Sequence, residues 1–88
     1  LENIYRLQIM NATEARQRYR IEVRGLTGLV VASEPEVEIE SAQSRGVAVR
    51  LQIPYGSAPS GSHTVQFDIS AIGSSDQVTE KSVFLVPR

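Results

Sequence analysis

Eighty-eight residues carrying nine basic and ten acidic side chains have a net charge of −1, which fits one domain and argues against a surface built to follow a phosphate backbone. Hydrophobic residues at 41% and charged residues at 22% are those of a globular chain rather than a disordered or fibrous one. The chain has no cysteine, which excludes disulfide frameworks, thiolate metal sites, cysteine nucleophiles and cysteine-ligated iron–sulfur clusters within these residues.

From the first residues on, the dominant period is two. Tyr5, Leu7 and Ile9 alternate with Arg6 and Gln8, although Ile4 and Met10 blur the polar side. After a turn at Asn11–Glu14, Tyr19, Ile21 and Val23 fall on one side of Gln17–Arg24, with Arg18, Arg20, Glu22 and Arg24 on the other. Successive side chains of a strand point to opposite faces, so this spacing predicts a half-buried strand. Gly25-Leu26-Thr27-Gly28 is a turn, and Leu29–Ala32 a short apolar run. Beyond Pro35, Val37 and Ile39 sit between Glu36, Glu38 and Glu40. Ser44-Arg45-Gly46 reads as a turn before Val47, Val49, Leu51 and Ile53. Pro54–Gly61 is the longest loop, followed by Val65, Phe67, Ile69 and Ala71 alternating with polar residues. In the last segment, Gln77–Val86, Val83 and Leu85 are apolar as well as Phe84 and Val86, which predicts a bulge or burial on both sides.

Seven short strands with frequent turn signals and no helical period predict an all-β fold, a seven-stranded antiparallel sandwich of the immunoglobulin or fibronectin type III kind. The lack of tryptophan and cysteine excludes the antibody variety, whose core packs a disulfide on a tryptophan. Residues 1–88 are read as a single immunoglobulin-like domain. Leu1 is neither an initiator methionine nor the start of a signal peptide, so the domain is expected to be a fragment of a longer protein. No apolar run approaches the roughly 20 residues a membrane-spanning helix needs.

Chemistry-bearing residues are few. His63 is the only histidine, and a metal site wants several converging ligands, so His63 is read as a solvated residue after the long loop. Met10 is the one other soft ligand, and no tight copper site is expected. The serines near His63 lack a nucleophile-elbow pattern. Glu36, Glu38 and Glu40 share one strand face; calcium sites gather oxygens from a turning loop, and the carboxylates are read as a charged outer face that guards a sheet edge. Arg16, Arg18, Arg20 and Arg24 stand ready to pair with that acidic stripe. The weak candidate interaction patch comprises Arg18, Arg20, Arg24, Glu36, Glu38, Glu40 and Tyr55, the last being the one aromatic in the long loop. Gly25–Gly28 matches the GxxG of a nucleic-acid-gripping loop in letters only, since that loop joins helices; nucleic acid is not an expected partner. Asn11-Ala12-Thr13 spells a glycosylation sequon. Catalytic, cofactor-binding and metal-binding residues are all expected to be absent, and the domain is not read as an enzyme.

The order of segments resembles a known family. Asn3-Ile4-Tyr5-Arg6-Leu7-Gln8-Ile9-Met10-Asn11 resembles the opening N-x-Y-x-L-x-I-x-N of the C-terminal immunoglobulin-like domain of FixG/RdxA/CcoG-type proteins. Tyr19–Val23 followed by Arg24–Gly28 is similar to its next strand and Gly-Leu-x-Gly turn, and Gly61 leading to Val65-x-Phe67-x-Ile69, with Glu80–Phe84 and Pro87, to its final hairpin. The resemblance implies a polytopic bacterial inner-membrane parent with a ferredoxin-type iron–sulfur domain and this domain at its periplasmic end. Such proteins are associated with copper reduction and assembly of a haem–copper terminal oxidase. The family's cluster-binding cysteines have no counterpart here, so iron–sulfur clusters are expected in the parent and no cofactor in this domain. Its implied partners are the rest of the parent, oxidase subunits or a copper carrier. The alternative reading is a binding or spacer module of a cell-surface or carbohydrate-active protein.

Overall fold

A computed structural model describes all of residues 1–88. Seven strands form in chain order: β1 (Glu2–Met10), β2 (Gln17–Arg24), β3 (Val30–Val31), β4 (Glu36–Ile39), β5 (Ser44–Gln52), β6 (Gly61–Ala71) and β7 (Gln77–Val86). They make two antiparallel sheets, β1-β5-β3 and β4-β2-β6-β7. The sheets close on a core of 13 buried residues in which Ile21, Val49, Leu51, Val65, Phe67 and Phe84 are almost fully enclosed. Full burial of such a side chain is worth about 1.5–3 kcal/mol. Tyr5 extends this core from the opposite sheet, its ring standing edge-on to Phe67 with centroids 5.1 Å apart.

Three boundaries differ from the sequence expectation, two of them because a ladder outweighs local turn preference. Ser44-Arg45-Gly46 is strand rather than turn: β1 runs on to Met10, and Gln8, Ile9 and Met10 pair with Gly46, Arg45 and Ser44. Gly61 is likewise strand, paired with Val86, and Leu29–Ala32 contracts to the two residues of β3 against Leu51 and Gln52. The last segment carries no bulge. Its register against β6 is unbroken from Gly61↔Val86 to Ser70↔Gln77, and burial is one-sided: Phe84 and Val86 are buried, while Leu85 and Val83 are 55% and 46% exposed.

The Gly-Leu-x-Gly turn owes its glycines to space as well as to conformation. Gly25 has φ 132°, and a Cβ there would lie 2.6 Å from the Thr64 carbonyl oxygen. Gly28 has φ 78°, with its Cβ position 2.9 Å from Pro54 Cδ. Both φ values are ones that L side chains rarely adopt. Between them Leu26 packs against the core.

Candidate functional site

Antiparallel pairing of β2 with β4 sets Arg18 opposite Glu38 and Arg20 opposite Glu36. On the outer face, an Arg18 guanidinium nitrogen donates to Glu38 Oε1 at 3.0 Å, and one of Arg20 donates to Glu36 Oε2 at 3.2 Å. Arg18 also lies 3.8 Å from Glu36, and Arg16 reaches Glu38 at 3.8 Å and Glu40 at 3.7 Å. The five side chains Arg18, Arg20, Glu36, Glu38 and Glu40 thus form one ladder with Arg16 as its end rung. The hydrogen bond from Arg18, and then the charges of Arg16 and Arg18, hold the Glu38 carboxyl below the usual carboxylate range. The same bond raises the Arg18 guanidinium. Arg24 turns to another strand and meets Asp68 Oδ2 at 3.1 Å. Asp68 is held below its usual range by the Gln66 amide first, then by the Thr79 hydroxyl and Arg24. Tyr55 stands apart from all of these, 90% exposed in the β5–β6 loop, over a hollow shared with Leu1 and Val86.

The remaining sequence candidates separate. His63 belongs to β6 rather than to the loop; it pairs with Phe84 and sits half-buried, with Nε2 2.7 Å from the Pro59 carbonyl oxygen. Met10 lies beside Gln77 and Val78 at the other end of β7. No three His, Asp or Glu side chains converge. Asn11, the sequon asparagine, is fully buried. Its Nδ2 donates to the carbonyls of Ala15, Ile39 and Glu40 at 2.8, 3.0 and 3.2 Å, and its Oδ1 accepts from the Thr13 N–H and hydroxyl. In the folded domain this amide is closed to a sugar-transferring enzyme, and it ties the β1–β2 turn to the end of β4.

A second surface, absent from the sequence candidates, lies where β1 of one sheet meets β7 of the other. Asn3 Nδ2 donates to the Leu85 carbonyl at 3.1 Å, and Asn3 Oδ1 accepts from the Leu85 N–H at 2.9 Å. The Tyr5 hydroxyl donates to the Val83 carbonyl at 2.7 Å. Burial pushes the Tyr5 phenol up. These bonds satisfy backbone groups of an edge strand, which would otherwise invite pairing. Past Tyr5 the seam opens into two adjoining hollows of about 350 and 360 Å³ that share Gln8, Ile69 and Glu80. Five of the eight exposed large hydrophobic residues lie on these two strands: Ile4 at 71%, Met10 at 68%, Val78, Val83 and Leu85.

The seam gives the opening N-x-Y-x-L-x-I-x-N pattern its physical sense. Asn3 and Tyr5 clip β7, Leu7 and Ile9 enter the core, and Asn11 gathers the turn. The signal available in the sequence was a polar residue in the inward phase of a strand, a place where buried polar groups serve as hydrogen-bond hubs.

A family model described as "IG-like fold at C-terminal of FixG, putative oxidoreductase" matches residues 1–87. The crystal structure of a FixG-related protein from Vibrio parahaemolyticus is similar at a TM-score of 0.87 and 22% identity, over 97% of this chain and 78% of that one. An extracellular fragment of EsaA from Streptococcus gallolyticus is similar at a TM-score of 0.53 and 20% identity, over 99% of this chain and 24% of that one. At such identities the likeness is one of fold. No curated protein matches the sequence.

Proposed function

The chain belongs to the family of immunoglobulin-like folds at the C-terminal of FixG, and from that premise we propose that it is a non-catalytic end-piece through which a membrane-bound iron–sulfur oxidoreductase makes contact with other proteins. In this reading the parent reduces copper during assembly of a haem–copper terminal oxidase. The domain stands on the periplasmic side of a bacterial inner membrane, and the parent's clusters lie in other segments. Its partners are the rest of the parent, oxidase subunits or a copper-carrying protein.

The observation that carries a contact role is the distribution of exposed apolar surface. Most of the large hydrophobic residues left in solvent gather on β1 and β7, and apolar side chains clustered on a surface mark interaction sites. The ionisable groups of the opposite side are engaged with each other. Deleting residues 1–88 from the full-length protein tests the reading. Turnover with soluble copper is expected to persist while oxidase assembly in cells is lost. Loss of turnover itself would assign the domain a part in the chemistry and overturn the proposal.

A further inference from the structure

The ladder between β1 and β5 is bracketed by Leu1, whose N donates to the Ile53 carbonyl at 3.0 Å and whose carbonyl accepts from Ile53 N–H at 3.1 Å, and by Asn11, whose N–H donates to the Gln43 carbonyl at 2.8 Å. In an antiparallel pair, inward-directed backbone groups alternate along the strand. Odd-numbered residues of β1 therefore bond β5, and the N–H and C=O groups of Glu2, Ile4, Arg6, Gln8 and Met10 point the other way, to a side without a strand.

The four sheet edges are not alike. β3 has two residues, and β4 has four with an acidic outer face. β7 is bonded at Val83 and Leu85 by β1 side chains, and it carries Glu80 in its inward phase beside the hollow. Short strands, charges and inward-pointing carboxylates are devices that keep an edge from pairing. β1 is guarded least: it is nine residues long, lacks proline and an inward-pointing carboxylate, and exposes Ile4 and Met10, its two charged side chains, Glu2 and Arg6, both standing in the outward phase. In a constant-type immunoglobulin sandwich, one sheet reads A-B-E-D. Here β1-β5-β3 fills the last three places, and the place of the first strand, beside β1, is empty.

We infer that this edge is covered in the full-length protein by the residues that precede Leu1, which turn at the head of β1 and run back antiparallel to it as an eighth strand. The occupant follows from connectivity. The family's fold lies at the C-terminal of FixG, so the polypeptide enters the domain through Leu1, at one end of the vacant edge. A tethered segment sits at millimolar effective concentration without any new contact, and about nine residues at ~3.3 Å each suffice to line β1. About a fifth of the similar FixG-related chain lies outside the shared part. This inference rests on the proposed function only in that the chain continues ahead of Leu1.

Residue-resolved amide exchange on the full-length protein tests it. The amides of Ile4, Arg6, Gln8 and Met10 are expected to exchange as slowly as their odd-numbered neighbours. Replacing the ten residues ahead of Leu1 by a Gly/Ser linker should speed the even-numbered amides at least about tenfold, as for an unpaired edge, and leave Asn3, Tyr5 and Leu7 unchanged. Fast exchange of the even-numbered amides in the intact protein would overturn the inference. So would protection that survives the linker, which sedimentation would then assign to a second copy or leave to another partner. Neither readout depends on redox activity: a covered edge in a protein that reduces no copper keeps this inference and sinks the functional proposal.

Discussion

The two sides of the sandwich are finished by opposite means. Along β2 and β4, arginines and glutamates meet across the outer face in exposed ion pairs. Along β1 and β7, an asparagine and a tyrosine reach from one sheet to backbone groups of the other, over apolar side chains half in water. Exposed ion pairs stabilise little and are weakened by salt, but a row of charges makes an edge unattractive to other strands. Bonds to an edge strand's own backbone hold the two sheets together and leave apolar surface beside them for contact. On the proposed function, the charged side is the barrier and the apolar side the one that meets a partner.

Substitutions can break that comparison, and the largest effect belongs to the floor of the seam. Phe67 is buried beneath Tyr5 and its removal leaves a cavity at the core's centre. Phe67→Ala is expected to cost about 3–5 kcal/mol in urea melts. Next come the clips themselves. Asn3→Ala removes two bonds to Leu85 and should cost about 1–2 kcal/mol, and Tyr5→Phe removes one and should cost about 1 kcal/mol or less. If both were silent in thermal melts, the seam would be held by packing alone.

Much of this architecture was legible in the alternation of residues. Val47–Ile53 and Val65–Ala71 announce their inward faces, and the order of acidic and basic stripes foretells the β2–β4 pairing of Arg18 and Arg20 with Glu38 and Glu36. The sequence could not say that Val83 and Leu85 lie in solvent, because apolar character on both phases of a strand fits burial on either side. Nor could it reveal that Ser44–Gly46 is strand, since that depends on how far β1 extends to pair with it. The seam was hidden for a similar reason. Asn3 and Leu85 are 82 positions apart, and only the closing of one sheet over the other brings them together. Arg24 and Tyr55 show the limit of grouping residues by type: one serves Asp68 and the other a separate loop.

The smallest effect belongs to the ladder. Glu38 and Asp68 have carboxyls held lower in the folded chain than in the unfolded one. The unfolded state therefore binds more protons at acid pH. Their contribution is complete above the ordinary carboxylate value of about 4 and is lost as pH falls through the folded values. Thermal melts taken downward from about pH 6 should show this loss. Arg18→Gln should flatten the part due to Glu38 and leave that due to Asp68, and high salt should shrink the Glu38 part more, since Asp68 is held first by the neutral Gln66 amide. A pH profile unchanged by Arg18→Gln would show that the ladder does not persist in solution.

The claim that contact runs through the apolar side is tested most directly by setting two double variants of the full-length protein against each other in an oxidase-assembly assay, with thermal melts to establish that both fold. Ile4→Lys with Leu85→Lys places charges on the exposed apolar residues of β1 and β7; Arg18→Gln with Glu38→Gln dismantles the centre of the ladder. The first is expected to abolish assembly and the second to leave it at the level of the unaltered protein. Assembly that survives the lysines and fails without the ladder would contradict that claim.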